Sequence, residues 1–189
     1  MFTSSPINRQ AAAPRQTQGV TLLEILVVIA ILGVLSALAA PSFQGTIERY
    51  RVSTTVDQLT STISLARAEA IKRGGNVRLE RLSGGDCPAM ISVQQWSCGW
   101  SLYWDVNANN AFNAGTDELI KEFRITNNVT VNFSVTQAGI TVNRWGQLGN
   151  LGAAGFTVVP QSGVSSPATS TVCLSTGGRI RTVSGSVAC

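Results

Sequence analysis

The sequence predicts an α+β chain, one long N-terminal helix packed on antiparallel strands. Three observations predict it. An uncharged apolar block runs from Ile25 to Ala40. From Val52 to Ala70 the apolar residues recur in steps of four and three, the spacing of one helical face. Beyond Gly75 the pattern changes to alternation, broken by Gly, Asn and Ser clusters, as strands and turns require. The 189 residues give room for one globular domain and an appended segment.

The first nineteen residues are polar, carry Arg9 and Arg15 and contain no acid. Val20 to Ala40, as a helix, spans about 31 Å at about 1.5 Å per residue, enough to cross the hydrocarbon core. Basic residues ahead of such a segment stay on the cytoplasmic side, so the remainder of the chain is expected to be exported. A plain anchor leaves Glu24 unexplained, because an acid near a membrane interior is costly. A secretory signal cleaved after Ala37-Leu38-Ala39 would need an unusually long apolar core that contains an acid.

Gly19-Val20-Thr21-Leu22-Leu23-Glu24 resembles the class III leader of type IV pilins and type II secretion pseudopilins. The resemblance implies that a prepilin peptidase cuts after Gly19 and methylates the new N-terminus, Val20. It also implies that Glu24 serves processing, or assembly through the terminal amine of a neighbouring subunit. The chain departs from the motif in having Val20 where Phe is usual, and its leader is long. On this reading residues 1–19 are a leader, 20–42 the membrane and filament-core half of the helix, and 43–189 a periplasmic or extracellular pilin-type globular domain. Pro41 falls where such helices kink.

The second half of the helix is expected to end near Arg73, with Lys72 and Arg73 in its last turn and Gly74-Gly75 as the stop. Leu65 to Arg73 is similar to a helix end of the FimT/GspH branch of pilin-like proteins. Arg67 and Glu69 within it read as a solvated or locally paired face. Strands follow at Asn76–Leu82, where Val77 and Leu79 alternate with Arg78 and Glu80. Trp100, Leu102 and Trp104 are expected to share one face of the next strand. Further runs lie at Leu119–Phe123, Val129–Val135, Ile140–Val142, Phe156–Val159, Thr171–Leu174 and Arg179–Val183. The tryptophans read as core.

The four cysteines form two sequence-local pairs, and an exported chain predicts disulfides. Cys87–Cys98 and Cys173–Cys189 are the expected bridges, with other connectivities open to the sequence. The chain has no His, which removes the commonest general base and zinc ligand. No catalytic constellation, metal site or cofactor is expected. Asp105-Val106-Asn107-Ala108-Asn109-Asn110, with Asp117, begins like a calcium loop, but Asn110 stands at the glycine position and Thr116 at the final glutamate. Asx side chains holding a turn are the expectation.

From Phe123 to Cys189 there is no acid, while Arg124, Arg144, Arg179 and Arg181 are present. Arg179 and Arg181, two apart on a strand, would share a face about 6.6 Å apart, close to two phosphate repeats of a DNA strand. Gly178-Arg179-Ile180-Arg181 resembles the GRxR motif of FimT-type minor pilins. That resemblance implies DNA binding during natural transformation through Gly178, Arg179 and Arg181. The charge argument adds Arg144 and Arg124. The alternative is a structural minor pilin or a GspH-like pseudopilin that assembles without touching DNA. Either way the expected partners are a prepilin peptidase, other major and minor pilins, and the inner membrane before export to a pilus.

Overall fold

In the computed structural model the described residues are 19–85, 87, 92–125, 128–149 and 151–189, with the side chains of 37–42 excluded. The leader expectation, Pro41 and the Ala37–Ala39 alternative fall outside them, Gly19 apart. Helix α1 spans Leu22–Arg73. The Thr21 hydroxyl accepts the Glu24 backbone N–H at 3.2 Å, so Thr21 caps the helix, with Glu24 at the third position.

The chain divides into two compact units, residues up to Pro41 and residues from Ser42. In the first, Leu22 to Leu35 presents apolar side chains all round, each of them at least 47% exposed. Among the described residues, no helix is long and apolar enough to cross a membrane. The expected anchor, 20–42, runs beyond the last described apolar side chain, Leu35.

In the second unit every residue of the expected stripe, Val52, Val56, Leu59, Ile63, Ala66 and Ala70, is buried. This face of α1 packs on two four-stranded antiparallel sheets, the helix-on-antiparallel-strands arrangement expected. The first has the order β3-β2-β1-β5, with β1 Val77–Arg81, β2 Gly99–Trp104, β3 Glu118–Arg124 and β5 Gly139–Val142. The second has the order β4-β6-β7-β8, with β4 Val129–Phe133, β6 Ala153–Pro160, β7 Ser170–Ser175 and β8 Ile180–Ser184. Sequence alternation marks strands without saying which of them pair. Here the β1–β5 and β4–β6 pairings cross long stretches of chain. Trp96, three residues ahead of β2 in the first sheet, stands edge-on to Phe133 of β4 and Phe156 of β6 in the second, at 5.6 and 4.9 Å.

Trp100 and Leu102 are buried on one face of β2, as alternation requires, and Trp104 is half-buried beneath the Arg73 guanidinium, 5.2 Å from its ring. Tyr103 is buried as well, although it points to the other face. The 105–117 loop covers that face with Phe112, 5.3 Å away ring to ring. Burial, with a hydrogen bond to Glu80, pushes the Tyr103 phenol well above its ordinary range. Arg73 ends α1 in a fork to Glu69 and Glu118 and holds both carboxyls below the ordinary value of 4.5. Glu69 is thus locally paired, as expected.

The 105–117 loop is held by its own Asx side chains. Asp105 is buried and accepts the N–H groups of Asn109 and Asn110, one on each oxygen, at 3.1 and 2.7 Å. Asp117 accepts from Val106 and Asn113 at 2.9 and 2.6 Å. All four carboxylate oxygens accept backbone N–H groups, which is the Asx-turn expectation.

Candidate nucleic-acid interface

The acid-free C-terminal third supplies two turns that meet over one side chain of α1. The first, Asn143 to Gln147, joins β5 to the chain returning toward β6. Its geometry comes from Asn143, whose side-chain oxygen accepts the N–H groups of Trp145 and Gln147, both at 3.0 Å. The Asn143 N–H closes the turn on the Gln147 carbonyl at 3.1 Å. The second turn, Ser175 to Arg179, joins β7 to β8. Gly178 N–H donates to Ser175 C=O at 2.8 Å, Ser175 N–H to Arg179 C=O at 3.1 Å, and Arg179 N–H to the Ser175 hydroxyl at 3.2 Å.

Arg67 joins them. Its Nε donates to the Gly146 carbonyl at 2.9 Å and its Nη1 to the Gly178 carbonyl at 2.8 Å. A planar guanidinium presents its donors in a fixed fork, which suits two carbonyls brought to one place. The Leu148 N–H adds a direct bond to Thr176 C=O at 2.9 Å. Arg67 is therefore not the solvated or locally paired residue expected from the sequence. It stands one position from buried Ala66, at the margin of the apolar stripe, where a long side chain reaches past the core edge.

Gly178 is buried, has a φ of +81°, and a Cβ there would strike the Arg67 guanidinium. Its role in the motif is to let that guanidinium lie against the turn, not to face solvent. Arg179 is exposed and stands in the turn itself, because β8 begins at Ile180. The fixed strand spacing expected for the arginine pair therefore does not apply between them. Ile180 packs against the core, and Arg181 is exposed on the outer face of the sheet.

On that face Gly155, Cys173 and Arg181 form a row across β6, β7 and β8. Cys173 is bonded to Cys189, and Cys87 to Cys98, the two expected pairings. A Cβ on Gly155 would lie 2.6 Å from the Cys189 sulfur, so the missing side chain makes the space in which the disulfide sits beside Arg181.

Arg144 is exposed on the first turn, with its guanidinium 5.0 Å from the Trp145 ring centroid. Trp145 is 68% exposed, contrary to the expectation that the tryptophans are core. The sequence signal was its setting between Asn143 and Gly146, both turn residues. Among the described residues, Arg144, Arg179 and Arg181 take part in no ion pair.

Arg124 is not brought to this group. It lies on β3, the opposite edge of its sheet from β5, level with Gly99, whereas β5 delivers Val142 to the other end, level with Val77. It also pairs with Glu122 at 2.7 Å.

Residues 55–187 match the family model of the type II transport protein GspH. The chain belongs to that family. Residues 14–40 of this GspH-family chain match the prokaryotic N-terminal methylation motif, which spans the Gly19–Glu24 leader signature. The pilin-like protein PilA1 of Thermus thermophilus is 29% identical over 166 residues, covering 88% of this chain and 91% of the relative. A fimbrial protein of Moraxella nonliquefaciens is 45% identical over 53 residues, 26% of this chain and 34% of that one. The crystal structure of the type IV minor pilin FimU of Pseudomonas aeruginosa (space group P21) superposes with a TM-score of 0.58 at 17% identity, over 75% of this chain and 95% of FimU. The GspH-family chain thus has the type IV minor pilin fold.

Proposed function

We propose that this GspH-family protein is a minor pilin that binds DNA through Arg179 and Arg181, with Arg144 beside them, during DNA uptake. The observation that carries the reading is the joining, from beneath by Arg67, of two turns that bring exposed arginines without ion-pair partners together. Backbone already fixed in this way has less to order when the arginines meet phosphates. Contacts of this kind are indifferent to sequence and weaken steeply with salt. Individual sites are weak, and several subunits in one filament supply avidity.

The N-terminal half supports the filament part of the proposal. A helix apolar on all sides needs an apolar surrounding. The membrane before assembly, and the packed helices of other pilins afterwards, provide one. Cleavage after Gly19 by a prepilin peptidase, methylation of Val20 and an assembly role for Glu24 belong to the same reading. Nothing in the site calls for a catalytic role. The match to a type II transport family favours a second reading, a pseudopilin or structural pilin with the same helix and no DNA contact.

The test is DNA binding by the full chain in detergent micelles across a salt series, beside Arg179→Ala/Arg181→Ala. Removing two phosphate contacts is expected to lower the slope of log affinity against log salt by about 1.8 on duplex DNA. Absence of binding by the unaltered chain at low salt favours the structural reading.

A further inference from the structure

The Asn143–Gln147 turn carries more than charge. Trp145 protrudes with 68% of its surface exposed, while the Arg144 guanidinium lies over the ring at 5.0 Å. An exposed indole leaves a flat apolar face in water that a stacked ring would cover. The turn beneath it is fixed by three hydrogen bonds of the Asn143 side chain, and Arg67, bonded to Gly146 and Gly178, ties it to the arginine turn. An exposed aromatic face on a fixed turn therefore stands beside Arg144, and its turn is tied through Arg67 to the one that carries Arg179. None of these cations is in an ion pair among the described residues.

We infer that Trp145 is a base-stacking platform and that the Arg144–Trp145 and Arg179–Arg181 turns together form a site for single-stranded DNA. The inference rests on the DNA-binding reading above and adds the form of the strand. Bases in a duplex have their faces covered by their neighbours, so a protruding indole reaches only phosphate and groove. An unpaired base offers a free face, and base–aromatic stacking with flanking cations is how single strands are held without regard to sequence. Arg144 occupies one face of the indole and adds a cation to it. A base stacks on the other, while Arg179 and Arg181 take the adjoining phosphates.

Full chain in micelles, unaltered and as Trp145→Ala, Trp145→Phe and Arg179→Ala/Arg181→Ala, is titrated with three labelled 20-mers. These are a single strand, its duplex, and a single strand with abasic positions throughout its middle. Trp145→Ala is expected to weaken single-strand binding about tenfold to a hundredfold while leaving duplex binding within about twofold, and Trp145→Phe to retain most of it. The abasic strand is expected to bind both the unaltered chain and Trp145→Ala equally. If Trp145→Ala leaves single-strand affinity unchanged while the double arginine variant loses it, the stacking inference falls and the phosphate site stands. If the unaltered chain binds no oligonucleotide at low salt, both fall.

Discussion

Replacing Arg67 with alanine removes two hydrogen bonds, to Gly146 and Gly178, and with them the side chain that bonds to both turns. Hydrogen bonds from a charged group contribute about 1.5–3 kcal/mol each. Arg67 is half-buried, so water recovers part of that at the two carbonyls. A loss of about 2–3 kcal/mol follows, to which the stem packing of the arginine adds a little. For a domain of this size each kcal/mol moves the midpoint by about 2–4 °C, giving a fall of about 5–10 °C. Thermal unfolding of the oxidised chain, followed by near-ultraviolet circular dichroism of the buried tryptophans, measures it. Arg67→Lys is expected between the two, since an ammonium cannot fork to both carbonyls in one plane. A midpoint for Arg67→Ala within about 1 °C of the unaltered chain would refute the reasoning. The turns would then be held by their own bonds, and the guanidinium would be incidental.

Two further outcomes are expected. Glu69 and Glu118 are held below 4.5, chiefly by hydrogen bonds to Arg73, so their contribution is present above the unfolded carboxylate range. It is lost as pH falls through their depressed folded values, and Arg73→Met is expected to flatten that acid limb in midpoint-against-pH curves. Ala108 sits at a φ of +53°, in the left-handed region that costs a residue with a Cβ about 1–2 kcal/mol. Ala108→Gly is expected to raise stability by about 0.5–1 kcal/mol in urea unfolding after the glycine's own entropy is counted, and a decrease would show that the loop relaxes elsewhere.

The parts of this molecule governed by short-range pattern were legible in its residues. The stripe from Val52 to Ala70, the glycine stop after Arg73 and the alternation in β1 each follow from the geometry of one element. So did the two local cysteine pairs and the Asx loop, where side chain and backbone lie a few positions apart. What was not legible depends on contacts between distant segments. Arg67 meets Gly178 across 111 positions and Gly146 across 79, and no periodicity signals such a meeting. The assignment of strands to two sheets is of the same kind, and it sends Arg124 to the far corner although its charge placed it with the other arginines. Trp145 was misjudged because a large apolar residue is ordinarily core, and only its turn neighbours pointed outward. Gly178 was expected among the DNA-binding residues, whereas the space beside it is filled from inside by Arg67.

The fork of Arg67 has a mechanical consequence. Tension applied at Arg179 pulls on the β7–β8 hairpin at its turn, the direction in which paired strands unzip one bond at a time. The Gly178 carbonyl offers another route, through the guanidinium and down its stem into the backbone of α1. Part of the load then reaches the helix without passing through the hairpin's ladder. A pull on that turn is thus shared between the hairpin and the helix on which it rests.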